Sequence, residues 1–299
     1  MMSRKVIVTV APTGGFATKA QNPNLPTQPD EIADDVVRCF NAGASIAALH
    51  ARTADDGPTC DSGVYSRINQ LIRGRCDIVI NNSGGGGLTG DMARRVSGDL
   101  WEVAIEERMK AADGGADMVT LNAMTVLATV GGRETLLSTS PRLSRQFATR
   151  LREKRIKPEW EAFSPAHILQ DMQTLIAEGL DEPPYFVNLC LGLHNVFQGA
   201  VPYSPKMLQL MVEFLPANSI YTVSAAGEAQ LPATVQMLLL GGHVRVGLED
   251  NLNYRPGQPA TNVQLVERIV RIIRELGMEP ASPDEARAIL GLPRRLKAA

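Results

Sequence analysis

Eight times along this chain a short run of β-branched and apolar residues gives way to a longer stretch with helical spacing. That strict rotation is what most limits the fold. The strand candidates are residues 5–10, 45–50, 77–82, 117–122, 157–163, 185–191, 220–224 and 243–249. Helical patterns cover 29–42, 64–74, 100–113, 141–154, 165–178, 205–214 and 230–240, with 262–276 after the last strand. Strand and helix in rotation imply parallel pairing through right-handed crossovers, and eight repeats close into a (β/α)8 TIM barrel. An open doubly wound sheet is the alternative, disfavoured because no G-x-G-x-x-G follows the first strand. Pro29, Asp30 and Glu31 mark a helix start, and Ser164-Pro165 and Ser204-Pro205 repeat the device. Residues 282–292 read as an extra capped C-terminal helix outside the barrel. No Ser/Gly linker or composition shift divides the chain, so one domain over 1–299 is expected.

With 30 basic against 32 acidic residues, the chain offers no basic field for nucleic acid and no polybasic patch for a membrane surface. Small-molecule chemistry is the default. No apolar run approaches the ~20 residues of a spanning helix, and Arg4-Lys5 followed by 6–10 is too short for a secretory signal. A cytoplasmic location follows. Cys39, Cys60, Cys76 and Cys190 show no C-x-x-C spacing and read as free thiols.

In a parallel barrel, sites are built where strands end. The densest chemistry lies in 241–251, where Arg245, Gly247 and Glu249 share one face and Val244, Val246 and Leu248 the other. Asp250 falls on the apolar parity, so the strand should end there, with Glu249 and Asp250 at its rim. A strand merely capped by surface charges is the bland alternative, less favoured because an inward Arg without a partner is costly. The second strand ends with Ala48, His50 and Arg52 on one parity. The third runs into Asn82-Ser83-Gly84-Gly85-Gly86-Gly87, whose free N–H groups suit a carboxylate or phosphate; a merely flexible loop is equally compatible. The fifth offers Glu159 and Glu161 on one face. His50 and Glu249, at neighbouring rims, are candidate ligands for a divalent metal, although catalytic zinc usually has three protein ligands.

Together these motifs resemble the β-keto acid cleavage enzyme family. The likeness is carried by Ala11-Pro12-Thr13-Gly14, Leu49-His50-Ala51-Arg52, Ser83-Gly84-Gly85-Gly86, residues 157–163, 241–251 and the tail from Asp284 to Leu292. It implies a (β/α)8 barrel using zinc and acetyl-CoA, in which a β-keto acid and acetyl-CoA give acetoacetate and the CoA thioester of the remaining acyl group. The partners implied are a small β-keto acid and a CoA thioester, within a homo-oligomer. Asp250 would be the general base, oriented by Arg245 and braced by Glu159 or Glu161, of which Glu161 is preferred. A cation on His50 and Glu249 would polarise the keto oxygen. Thr13, Asn82, Ser83, Gly84, Gly85, Thr120 and Asn122 would contact substrate.

The departures from the family pattern are as informative. Ala48 stands where the family has a first histidine ligand, and Thr53 follows Arg52 in place of Asp. Phe16 stands where some relatives carry an acid, and 122–125, Ser164 and 194–197 also differ. Phe16, Met124, Val126, Leu127 and Phe197 suggest an apolar side group on the substrate; a role only in packing a loop is equally compatible. Two other functions remain open: a small-acid-binding homologue without turnover, and another metal-assisted lyase or aldolase that needs no CoA.

Overall fold

The computed structural model describes residues 3–294. Eight parallel strands form the central ring: β1 Val8–Val10, β2 Ile46–Leu49, β3 Val79–Asn82, β4 Met118–Leu121, β5 Lys157–Ala162, β6 Tyr185–Leu191, β7 Ser219–Ala225 and β8 Val244–Val246. Neighbours in sequence are neighbours in space, and β8 pairs with β1 through Val244↔Val8 and Val246↔Val10. The remaining seam, β7 to β8, is bridged by the His243 N–H donating to the Tyr221 carbonyl at 2.8 Å. The ring is therefore a near-closed barrel, as the alternation demands.

The strands are covered on both faces, apolar outward against the helices, with buried polar residues such as Asn81, Glu159 and Arg245 inward. Outward residues such as Val8, Val10 and Ala47 join Ile32, Ile68, Phe147, Leu208, Met237 and Ile269 from the surrounding helices in one large core. A smaller cluster, Ile7, Ile46, Val79, Met118 and Phe186, closes the amino-terminal end under Ala286 and Leu290 of the helix Pro283–Leu290. Ser282 and Glu285 cap that helix reciprocally, the expected start signal. Among the described residues no helix is long and apolar enough to cross a membrane.

Two stretches differ from expectation. Residues 100–113 are not one helix. Leu100–Val103 is a strand, antiparallel to Ala93–Ser97 and parallel to Arg133–Leu137, which pairs in turn with Val126–Val130. This four-stranded excursion sheet is joined to the barrel by the bridge Ala128↔Phe197. Its signal was the hairpin turn Gly131-Gly132 between two alternating runs. The helical spacing of Leu100, Val103 and Ala104 concealed it.

The eighth strand also ends early, at Val246 rather than Glu249. Gly247 has φ +149°, and a Cβ there would lie 2.1 Å from the Ala11 carbonyl oxygen. Only glycine lets the two backbones pass so closely. The chain then turns, with Glu249 N–H donating back to that same carbonyl at 3.1 Å.

Candidate active site

The turn after β8 fixes two carboxylates over one guanidinium. Gln230 Nε2 donates to the Gly247 carbonyl, and Asn262 Oδ1 accepts from Leu248 N–H, so the backbone between them is held from both sides. Arg245, inside the barrel and buried, sends Nε to Asp250 Oδ2 at 3.0 Å and Nη2 to Asp250 Oδ1 at 3.3 Å. The same Nη2 lies 2.6 Å from Glu249 Oε1, and Nη1 lies 4.0 Å from Glu161 Oε1. A planar fork suits such two-point contact, which a lysine could not make.

One positive charge thus serves several acids, and it cannot satisfy all equally. Burial pushes Asp250 up to about 6, with Glu249 and Glu161 adding to the rise, and Arg245 offsets only part of it. Burial also acts against ionised Glu249, yet Arg245 and His50 together draw it down to about 2. Glu159, one layer deeper, is held up to about 8 by burial, and its Oε2 accepts from Asn81 Nδ2 at 2.6 Å. Two carboxyl groups sharing a guanidinium have been pushed to opposite ends of the range, a pattern that marks acid–base sites.

His50 meets this group from β2. Its Nε2 lies 3.2 Å from Glu249 Oε1, and Nδ1 lies 2.8 Å from the Gly86 carbonyl. A carbonyl only accepts, so Nδ1 carries a proton, and Nε2 faces a carboxylate across a gap that needs a proton or a cation. Glu249 Oε2 is buried with no hydrogen-bond partner. The geometry therefore offers two metal donors. It stops at two, because Ala48 occupies the strand position that shares parity with His50. Among the described residues no group of three His, Cys, Asp or Glu side chains is arranged so that it could hold a metal ion. The chain's own residues do not fit a catalytic zinc set of three protein ligands.

Around this centre opens a cleft whose empty space, the open solvent at its mouth included, is about 560 Å3. Of the residues expected in the site, His50, Ser83, Gly85, Asn122, Glu161, Arg245, Glu249 and Asp250 line it. Asn122 Nδ2 donates to Glu161 Oε2 at 2.7 Å, tying the fourth strand's end to the fifth. The other four expected contacts lie elsewhere. Asn82 points out of the barrel, its amide donating to the Ala111 carbonyl, because Asn81 takes the inward parity. Thr120 and Gly84 stand behind the wall, where the Gly84 N–H donates to Thr120 Oγ1 at 2.7 Å. Thr13 is fully buried and also off the wall. Met124, Val126 and Leu127 do not line the cleft either; Leu137, from the neighbouring strand of the excursion sheet, does.

Two buried arginines organise the loops without touching the centre. Arg108 donates to the Gly84 carbonyl, Thr139 Oγ1 and Asn122 Oδ1, and burial lowers its pKa to about 10. It locks the glycine loop to Asn122, and the sequence carried no sign of it. Arg52 shares parity with His50, yet each of its three side-chain nitrogens donates to a backbone carbonyl, those of Gly14, Asp56 and Ala17. It clamps the loop after β1.

A family model described as beta-keto acid cleavage enzyme matches residues 5–292. The 3-keto-5-aminohexanoate cleavage enzyme of Fusobacterium nucleatum subsp. nucleatum is 35% identical over 97% of this chain and 99% of its own length. The 3-dehydrocarnitine:acetyl-CoA trimethylamine transferase of Rhizobium meliloti is 29% identical over 98% and 99%. Among solved structures, apo ObcA superposes with a TM-score of 0.72 at 18% identity, covering 90% of this chain and 66% of that longer one. At that identity the superposition speaks for the fold alone.

Proposed function

Because this chain belongs to the β-keto acid cleavage enzyme family, and is a carbon–carbon-cleaving acyltransferase with acetyl-CoA as co-substrate, we propose that Asp250, oriented by Arg245, is its catalytic base. The observation that carries this reading is a buried carboxyl at the cleft, gripped at two points and lifted to about 6. Such a group is ionised at neutral pH and a far better base than an exposed carboxylate.

The overall exchange dictates the steps. Asp250 takes a proton from C2 of the β-keto acid, and the carbanion attacks the thioester carbon of acetyl-CoA. A C2–acetyl bond forms while the C–S bond breaks and frees the CoA thiolate. The thiolate then adds to the C3 ketone, and the C2–C3 bond breaks with its electron pair returning to C2. Asp250 gives its proton back there, leaving acetoacetate and the CoA thioester of the acyl group. Arg245 keeps the base aligned and offsets the enolate's charge, and Glu161 braces it from β5. Ser83 and the N–H groups of Gly86 and Gly87 hold the substrate carboxylate, with Asn122 beside them.

The zinc expected from the resemblance supplies no step, since His50 and Glu249 fall one donor short. Instead His50 fixes Glu249, and Glu249 helps to hold the guanidinium. The reading keeps the cytoplasmic location expected from sequence and the homo-oligomer implied by the resemblance; sedimentation of purified protein tests the latter. The decisive assay incubates protein with acetyl-CoA and a panel of β-keto acids and follows acetoacetate and the acyl-CoA product. Absence of both with every acid, with and without added zinc, refutes the assignment.

A further inference from the structure

The charged residues of the cleft wall, His50, Glu161, Arg245, Glu249 and Asp250, are already engaged with one another or with Asn122. The remainder of the described wall offers no free charge. It is built from Phe16, Leu88, Leu137, Phe163, Leu193 and Phe197, with neutral small residues between. Phe163 packs on Phe197 at 5.3 Å between ring centroids, and Phe197 meets Phe16 edge-on at 6.1 Å. These three rings make one apolar surface running from buried Phe163 and Phe197 to half-exposed Phe16.

That surface is fixed in advance. Phe197 N–H donates to the Leu193 carbonyl at 2.8 Å, and the neighbouring Val196 carbonyl and Gln198 N–H bond to Thr129 and Leu127 of the excursion sheet. Phe16 rides on the loop that Arg52 clamps at the Gly14 and Ala17 carbonyls. A rigid apolar wall facing a fully committed charge cluster discriminates by desolvation. A distal ammonium or carboxylate placed against it would lose water and gain no partner.

Resting on the reading above, we propose that the acyl group beyond C3 of the substrate is uncharged and apolar, an alkyl or aryl β-keto acid. Phe16, Phe163 and Phe197 are its specificity-determining residues.

Three six-carbon acids differing at the distal end test this: 3-oxohexanoate, 5-amino-3-oxohexanoate and 3-oxoadipate, each assayed with acetyl-CoA. The apolar acid should exceed both charged ones in kcat/KM by at least ~100-fold, since an unpaired charge costs more than the methylene mismatches worth ~10–200-fold. Phe16→Glu should raise the ratio of the amino acid substrate to 3-oxohexanoate by at least ~10-fold. Turnover of either charged acid as well as the apolar one overturns the substrate class while leaving the reaction standing. If none is cleaved, with or without added zinc, calorimetric binding of the same acids decides the substrate class. Tighter binding of 3-oxohexanoate then upholds an apolar-acid site, whereas equal, reversed or undetectable binding ends it.

Discussion

Asp250 is pulled two ways, by burial and neighbouring carboxylates upward and by Arg245 downward, and the upward pull wins. The sign of its pH dependence follows. A base must be ionised, so kcat should be level above about pH 6 and fall about tenfold per unit below it. Asp250→Asn keeps one of the two hydrogen bonds from Arg245 but removes the base, and should lower kcat by ~10^2–10^4. Unaltered turnover in that variant removes Asp250 from the mechanism. At the metal donors, Ala48→His supplies a side chain on the parity of His50, and zinc affinity measured by competition with a chelator should rise at least ~10-fold. Equal zinc uptake by both proteins would mean that a third donor exists other than a His, Cys, Asp or Glu side chain. Arg245, Glu249 and Asp250 were legible in sequence because two-residue alternation fixes which side chains share a strand face. Arg108 was not, since Gly84, Asn122 and Thr139 come to it from three separate segments.

At the scale of elements, the turn after β8 is the most constrained piece. Gly247→Ala sets a Cβ 2.1 Å from the Ala11 oxygen, in a backbone conformation alanine avoids. The cost should reach at least ~2–4 kcal/mol from strain and overpacking together. Urea denaturation will show it, and kcat should fall further because Glu249 and Asp250 follow directly. A midpoint within experimental error of the parent would mean that β1 and β8 can separate freely there. The alternation fixed the barrel's order and the tail helix, but strand lengths depended on what each end met. Thus the eighth strand stops at a close backbone approach that its own residues do not reveal. The excursion sheet was missed for a different reason: Leu100 and Val103 satisfy helical and strand spacing alike until Arg133–Leu137 supplies a partner.

For the molecule as a whole, the two barrel ends have opposite characters. The rim is polar and charged. The base is sealed by the small apolar cluster and by neutral His243, whose Nδ1 accepts from Ile7 N–H at 2.9 Å. Burial, with Arg4 nearby, lowers His243 to about 4. The unfolded chain takes up this proton near pH 6.5 and the folded chain only near 4, so stability is full above 6.5 and declines as pH falls between them. His243 alone should cost on the order of 2–3 kcal/mol at pH 4.5, and buried His167, also lowered to about 4, adds to the decline. Urea titrations at pH 7 and 4.5 measure this, and His243→Asn, which retains an acceptor near Nδ1, should lose less. An identical decline in that variant would place the acid sensitivity elsewhere.

The pairing of β8 with β1 joins residues separated by 236 positions along the chain. During synthesis the first strand must therefore wait, with one flank open, until nearly the entire polypeptide has left the ribosome. Fragments ending before residue 244 would lack the guanidinium and expose a sheet margin apt to self-associate. Completion of the ring and assembly of the reactive centre are thus one event.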